Sequence, residues 1–317
     1  MLNSGLQLYW LKKTKPEVFK KIRHTLHFPQ YLSYLFTGKR VTEPTSIGCH
    51  TKLWDFTTNQ YHSWLKKEKL DHLFPPLVST THSFETSIQG NTINIGVGIH
   101  DSSSALASYM MRSQEPFMLI STGTWSITLN AFTTENLTAG ELNRDCLNYL
   151  TIHGKPVKAS RLFLGNELDY HVNQLNEIFH KEPKYYKQIN LNADFIKTIE
   201  GPESGNSFYP HTIDNPLLVN DIFKFNNWNP AACSSYEEAY HKVMWGLVKL
   251  QVASFKLAKG NSPIKKVYID GGFISNDIFI KLFAYYLPSY TLEVSDLPLG
   301  SAFGAALVLQ NKMEVVE

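Results

Sequence analysis

The last third of the chain alternates between strand and helix patterns, and this alternation constrains the fold more than any other feature. A strand, a glycine pair, a helix, a second strand and a second helix follow one another at residues 265–270, 271–272, 277–287, 291–294 and 300–310. Such an order is typical of α/β proteins, in which helices cover a largely parallel sheet. We therefore predict an α/β fold, with a long helix over residues 235–259 in front of this run.

Length and charge restrict the kinds of protein that this chain can be. With 317 residues the chain is long enough for two domains. The predicted helix after Asp101 ends at Glu115-Pro116, and we place the boundary between the two domains there. The net charge of +2 gives no reason to expect a nucleic acid or a membrane surface as partner. No uninterrupted apolar run is long enough to span a bilayer, and the first residues lack the order of a secretory signal.

The three cysteines, Cys49, Cys146 and Cys233, lie far apart and form no C-x-x-C pair. This spacing favours reduced thiols, and it supports neither a disulfide framework nor a cysteine zinc site. We therefore expect a cytoplasmic protein, and we predict no metal ligands among its side chains.

The first candidate for chemistry is a carboxylate near the end of a predicted strand. The apolar run at residues 93–99 leads into His100-Asp101, and a carboxylate in this position can take a proton from an alcohol. The alternative is that Asp101 only complements the dipole of the helix predicted after it. Strand alternation would point His100 to the side opposite Asp101, which favours an orienting role for this histidine.

Two short turns are candidates for phosphate and nucleotide binding. Ser121-Thr122-Gly123-Thr124 follows an apolar strand, and a glycine flanked by hydroxyls lets the backbone approach a phosphate group closely. Gly271-Gly272, followed by Asn276, forms a strand-to-helix turn against which a ribose or a base could lie. The alternatives are a plain β-turn and simple helix–strand packing. The P-loop pattern G-x-x-x-x-G-K-[ST] and the pattern G-x-G-x-x-G are both absent from the sequence.

With these motifs in order, the chain resembles the FGGY family of carbohydrate kinases, of the actin/Hsp70/hexokinase superfamily. The resemblance covers essentially the whole chain and rests on five stretches, at residues 31–38, 98–101, 121–125, 270–276 and 300–306. It implies an α/β fold of two RNase H-like (actin-like ATPase) domains. Residues 1–113 would be the remainder of the sugar-binding domain, with the first domain incomplete, and residues 114–317 the nucleotide-binding domain.

The resemblance also implies roles for individual residues. Asp101 would be the base that deprotonates a sugar hydroxyl, and His100 would contact the sugar beside it. ATP would be held by residues of the two turns, namely Ser121, Thr122, Gly123, Thr124, Gly271, Gly272 and Asn276. Mg²⁺ would accompany ATP, and a homodimer is one state that the family pattern allows.

The sequence departs from the family pattern at its start. Family members open with a D-x-G-T-x-x-x-[KR] hairpin that cradles phosphate, and this sequence has no such motif. We therefore expect an ATP-dependent kinase that lacks its N-terminal segment and acts on a ketose or deoxy-ketose such as rhamnulose or fuculose. The tryptophan at position 125 favours the rhamnulose and fuculose branches slightly. The alternative is a non-catalytic remnant that binds nucleotide or sugar without phosphotransfer.

Overall fold

A computed structural model describes residues 3–200, 207–295 and 300–310. Its helices are α1 Leu6–Thr14, α2 Pro16–Phe19, α3 Phe28–Thr37, α4 Pro44–Ile47, α5 Trp64–Lys67, α6 Asp101–Met110, α7 Ala139–Leu142, α8 Leu164–Phe179, α9 Ala193–Glu200, α10 Pro216–Ile222, α11 Tyr236–Lys259, α12 Asp277–Tyr286 and α13 Gly300–Leu309. Its strands are β1 Trp54–Asp55, β2 Gln60–Tyr61, β3 Ser83–Ile88, β4 Asn91–Gly96, β5 Phe117–Thr122, β6 Ser126–Asn130, β7 Cys146–Leu150, β8 Pro156–Leu162, β9 Lys266–Gly271 and β10 Thr291–Val294. The predicted α/β class is confirmed.

The chain divides into two compact units. Unit 1 comprises residues 1–114, 147–158 and 297–317, and unit 2 comprises residues 115–146 and 159–296. The chain first passes from unit 1 to unit 2 between residues 114 and 115, next to the predicted domain boundary. Residues 147–158 and 297–317, which were assigned to the second domain, are grouped with unit 1. In unit 1, helix α13 packs on α6 so closely that a Cβ at Gly304 would overlap the carbonyl oxygen of Ser104. This contact accounts for the placement of the last helix.

Unit 2 is built on a mixed sheet in which β10, β9, β5 and β6 are neighbours in that order. Strands β10, β9 and β5 are parallel, whereas β5 and β6 form an antiparallel hairpin. The register of β5 on β9 sets Ser121 beside Asp270 and Thr122 beside Gly271. The two turns singled out in the sequence therefore leave the sheet at the same edge, because the carboxyl ends of parallel strands lie together.

The core of unit 2 forms around α11, a helix that is buried along most of its length. Ser235 begins this helix by accepting a hydrogen bond from the Glu238 backbone N–H, and Gly260 ends it. Its apolar residues pack with those of β5, β9, α8 and α12 in one continuous cluster. The predicted helix over residues 235–259 is thus confirmed, with Ser235 as its cap.

Unit 1 contains several short helices and, among its described residues, two hairpins as its own sheets, β1-β2 and β3-β4. Its main core cluster is formed by Ile47, Leu53, Leu65, Leu70 and Leu73. Helix α3 ends at Gly38, in the left-handed conformation that favours glycine. Among the described residues, no helix combines the length and the apolar run that a bilayer crossing requires.

Candidate functional site

The candidate catalytic residue of unit 1 is Asp101, which begins helix α6. Strand β4 ends at Gly96, and a short connection of Val97 to His100 leads into the helix. His100 is the residue before the first helical position and makes no side-chain cap. The Asp101 side chain is 81% exposed, whereas that of His100 is 15% exposed. The carboxylate is therefore open to a substrate and the imidazole lies beneath it.

The structure corrects the expected orientation of His100. Its Nε2 lies 3.4 Å from Oδ1 of Asp101, so the two side chains meet instead of pointing to opposite sides. Strand alternation does not apply here, because both residues lie at the start of a helix. Burial lowers the pKa of His100 to about 4, an effect that the neighbouring Asp101 charge opposes. The imidazole is consequently neutral near pH 7 and can share a hydrogen bond with Asp101.

A buried carboxylate that the sequence analysis did not predict, Glu43, organises the backbone near the start of α6. Glu43 is fully buried and accepts hydrogen bonds from the backbone N–H groups of Thr45 and Ser46 and from the hydroxyl of Thr80, at 2.8, 2.6 and 2.8 Å. The Thr45 hydroxyl in turn accepts the backbone N–H of His100 at 3.0 Å. Glu43 therefore fixes the point at which helix α6 begins.

Two serines of α6 fix the helix itself. The Ser103 hydroxyl donates to the Leu150 carbonyl at 2.8 Å, and the Ser104 hydroxyl donates to the Ser301 carbonyl at 2.6 Å. Both serines lie inside the helix and bind the backbone of neighbouring segments. These hydrogen bonds hold helix α6 in place, so the exposed Asp101 carboxylate is positioned as a proton acceptor must be.

Unit 2 contains its own candidate site, a cleft of about 600 Å³. Four of the predicted cofactor residues, Gly123, Thr124, Gly272 and Asn276, line it. The other lining residues lie in α8, in the segment after α8, in the turn at residues 272–275 and at the start of α12. They are Gly165, Leu168, Asp169, Tyr186, Lys187, Ile189, Asn190, Phe273, Ser275 and Asp277. Aromatic and aliphatic walls with a few amides and a hydroxyl-bearing turn are typical of a nucleotide-sized site.

The remaining predicted cofactor residues lie behind the cleft. Ser121, Thr122 and Gly271 are not part of its lining. Thr122 is buried, and its hydroxyl donates to the Asp270 carbonyl and accepts the Phe273 backbone N–H. Thr122 therefore joins the two turns, and its hydroxyl is already engaged within the protein.

Gly271 is required by the close approach of the two turns. Its φ is +87°, in the region that favours glycine, and a Cβ there would overlap the Thr122 carbonyl oxygen. Gly165 makes a similar approach from α8, since a Cβ there would overlap the Gly123 carbonyl oxygen. The backbone N–H of Gly165 donates to the Thr124 carbonyl at 3.1 Å, so the start of α8 is tied to the hairpin turn.

Both the oxygen and the nitrogen of the Asn276 side-chain amide form hydrogen bonds within the protein. Its Oδ1 accepts the Phe279 backbone N–H at 3.1 Å and so caps α12, while its Nδ2 donates to the Tyr240 hydroxyl at 2.8 Å. Burial raises the pKa of Tyr240, which keeps this hydroxyl protonated and available as a partner. The cleft therefore has a preorganised polar group at its α12 edge.

The sequence analysis did not predict that the segment after α8 lines the cleft. Tyr186 and Lys187 lie in a single 3₁₀ turn, and Ile189 and Asn190 follow it directly. This stretch has no apolar period and no motif, so the sequence offers no signal for its position. Burial, with a smaller contribution from Asp169, raises the pKa of Tyr186, in keeping with a ring that packs against the cleft.

Residues 114–210 match the family model described as the carbohydrate kinase FGGY C-terminal domain. A rhamnulokinase from Oceanobacillus iheyensis is 31% identical over 140 residues, which are 39% of this chain and 28% of that protein. A solved xylulose kinase from Lactobacillus acidophilus has a TM-score of 0.77 at 15% identity, covering 98% of this chain and 64% of the other. A gluconate kinase from the same organism has a TM-score of 0.76 at 16% identity, with coverages of 98% and 64%.

These likenesses agree with the motifs and with the observed fold. The chain spans only part of the length of the proteins that it matches, 28% of the rhamnulokinase and 64% of the xylulose kinase. The solved structures support the predicted α/β architecture. The family-model match at residues 114–210 includes the β5–β6 hairpin and the part of the cleft lining that lies before residue 210. We conclude that residues 114–210 are similar to the C-terminal domain of FGGY carbohydrate kinases, and that the chain has the fold of solved carbohydrate kinases.

Proposed function

We propose that this protein is an ATP-dependent carbohydrate kinase that transfers the γ-phosphate to a sugar hydroxyl. The observation that carries the proposal is the unit 2 cleft, in which Gly123, Thr124, Gly272 and Asn276 come together from separate parts of the sequence. The acceptor is a ketose or deoxy-ketose such as rhamnulose or fuculose, a choice supported by the rhamnulokinase relative. We place the reaction in the cytoplasm, where ATP is abundant.

The nucleotide occupies the unit 2 cleft. Its base and ribose lie between the walls formed by Tyr186 and Phe273, with the Asn276 amide at the edge. Its phosphates lie at the Gly123-Thr124 turn, where the backbone is open and a hydroxyl is present. Lys187 is an exposed cation on the same lining and offers charge to the phosphates.

Asp101 acts as the general base. Its carboxylate accepts the proton of the attacking sugar hydroxyl, and the sugar oxygen forms a bond to the γ-phosphorus while the bond to the β–γ bridging oxygen breaks, so that ADP leaves. His100, neutral and 3.4 Å from the carboxylate, orients it and contacts the sugar. The Asp101 side chain is 81% exposed, which leaves it accessible to a sugar hydroxyl while its Oδ1 accepts the Ser102 backbone N–H at 2.6 Å.

The cleft offers two carboxylates as possible ligands for Mg²⁺. Asp169 and Asp277 are the carboxylates on its lining, and Asp277 also forms an ion pair with Lys281 at 2.7 Å. Among the described residues, no group of three or more carboxylates lies together, so the ion would depend on the phosphates and on water for most of its ligands. When bound, Mg²⁺ would neutralise charge on the transferred phosphate.

Calorimetric titration of the chain with MgATP tests the nucleotide site. Lys187→Ala removes a charge-assisted contact and should weaken ATP binding roughly tenfold or more. Lys184→Ala is the matched control, because Lys184 is an exposed lysine nearby that does not line the cleft. Equal affinities of the two variants would contradict the placement of the phosphates.

A coupled ADP-release assay with a panel of ketoses tests the transfer itself. Sugar-dependent ADP formation that requires Asp101 would support the kinase. ATP binding of normal strength without any sugar phosphate would instead favour a nucleotide-binding protein that does not phosphorylate sugars. The panel also ranks rhamnulose and fuculose against xylulose and gluconate, the substrates named for the relatives.

A further inference from the structure

Three potential metal ligands lie together in unit 1. The sulfur of Cys49 and ring nitrogens of His50 and His100 all lie within 4.8 Å of one another. Cys49 and His50 directly follow helix α4, whereas His100 directly precedes α6, so the fold brings two distant stretches to one point. We propose that these residues form a binding site for Zn²⁺ or a divalent ion of similar softness.

The donor set decides which class of metal fits. One thiolate and two imidazoles match the borderline-soft character of Zn²⁺, whereas Mg²⁺ and Ca²⁺ take oxygen ligands. Bond lengths of about 2.3 Å to sulfur and about 2.0 Å to nitrogen place tetrahedral ligand atoms roughly 3.5 Å apart. Two ligand atoms at the observed limit of 4.8 Å therefore need to approach each other by about 1.3 Å, which side-chain rotation supplies.

The rings that would bind the ion are already held in place. The Tyr149 ring packs edge-on against His100 at 5.2 Å and tilted against His50 at 6.1 Å between centroids. The backbone N–H of His100 is fixed by Thr45 at 3.0 Å. Ordered imidazoles lose little freedom when a metal binds, and supporting contacts of this kind raise metal affinity.

The surroundings also suit a cation. Burial, together with the carboxylates of Glu43 and Asp101, raises the pKa of the Cys49 thiol to about 12, and the negative charges of the same two carboxylates attract a cation. The thiol now donates to the Ser46 carbonyl at 3.1 Å. Zn²⁺ binding replaces this proton, which passes to the buffer, and leaves a thiolate whose charge the ion neutralises. Three protein ligands leave the fourth tetrahedral position open to water or to another small ligand.

The test uses the whole chain, stripped of metal with a chelator and titrated with ZnCl₂ in a calorimeter. We expect one Zn²⁺ per chain. Cys49→Ser and His50→Ala should each weaken binding by at least about tenfold to a hundredfold, the range known even for loss of a supporting residue. Cys233→Ser and His72→Ala are the matched controls, because these residues lie outside the cluster, and they should bind as the parent does.

Two further measurements do not depend on the folding of a variant. Co²⁺ added to the parent chain should produce a thiolate-to-cobalt charge-transfer absorption in the near ultraviolet. Zn²⁺ should also protect Cys49, but not Cys233, from alkylation, as located by mass spectrometry. The proposal is overturned if the Co²⁺ complex lacks that absorption, if Cys49 is alkylated equally with and without Zn²⁺, or if the Cys49→Ser/His50→Ala double variant binds Zn²⁺ as tightly as the parent.

Discussion

The buried carboxylate of Glu167 on helix α8 provides the sharpest test of how unit 2 is held together. It is fully buried and accepts the backbone N–H groups of His211, Thr212 and Ile213 at 2.6, 2.6 and 3.1 Å. The Thr212 hydroxyl donates to the same carboxylate at 2.6 Å, and His171 Nε2 lies 2.7 Å from it. One side chain thus fastens the segment at residues 211–213 to the helix that also carries Gly165 and Asp169 of the cleft.

The cost of removing this carboxylate follows from the groups that it satisfies. Glu167→Ala leaves three backbone donors without their acceptor, and each buried unsatisfied donor costs about 1–3 kcal/mol. Water can enter beside the partly buried donors, so we expect a loss on the order of 3–5 kcal/mol, comparable to breaking a buried ion pair. Glu167→Gln keeps the volume and one acceptor oxygen, and it should cost about 1.5–3 kcal/mol.

Differential scanning calorimetry measures the effect. At about 2–4 °C per kcal/mol for a unit of this size, Glu167→Ala should lower Tm by about 6–20 °C. The control is Glu177→Gln, an exposed glutamate on the same helix, which should leave Tm almost unchanged. A Glu167→Ala protein that melts within about 2 °C of the parent would refute the argument.

The same residue predicts a pH dependence. Burial raises the pKa of Glu167, but hydrogen bonds from His171, Thr212 and His211 outweigh it, so that the folded pKa lies below the ordinary value of 4.5. The stabilisation is therefore complete above pH 4.5 and is lost as the pH falls through the folded pKa. The difference in Tm between the parent and Glu167→Gln should shrink below that pH, and a constant difference would contradict this reasoning.

Two further substitutions test the cleft. Gly271→Ala and Gly90→Ala both place a side chain at positive φ, at a strain of about 1–3 kcal/mol, but only the Cβ at Gly271 would overlap backbone. Gly271→Ala should therefore unfold at a clearly lower temperature and lose ATP binding, and equal melting of the two variants would contradict the close approach of the turns. Asn276→Ala and Asn215→Ala both remove a helix cap worth about 0.5–2 kcal/mol. Only Asn276→Ala should weaken ATP binding, by roughly three- to tenfold as measured by calorimetry, and an equal effect of both would remove Asn276 from the site.

Local patterns in the sequence were sufficient to predict the C-terminal elements. The β9 strand, the glycine turn and α12 were predicted within one or two residues, because strand and helix periods and glycine positions are local signals. The register of β5 on β9 then brings together the two turns that the sequence marked separately. Four of the fourteen lining residues, Gly123, Thr124, Gly272 and Asn276, were predicted in this way.

Residues whose position depends on long-range contacts were not predictable. Glu43 and Glu167 look like surface glutamates in the sequence, and only the fold buries them beneath converging backbone donors. Tyr186 and Asn190 belong to an irregular segment without period or motif. Cys49, His50 and His100 lie at no recognised metal-ligand spacing, since their approach depends on how α4 and α6 are placed in unit 1.

The role of Asp101 is the central claim of the proposed function, and one measurement tests it directly. Sugar phosphate formed from γ-labelled ATP is measured for the parent and for Asp101→Asn, with ATP affinity determined for both by calorimetry. Loss of the proposed general base should reduce the rate of transfer by about 10²–10⁴-fold while ATP binding is unchanged, because Asp101 lies in unit 1 and the residues proposed to bind the nucleotide lie in unit 2. Transfer by Asp101→Asn at the parent rate would contradict the assignment.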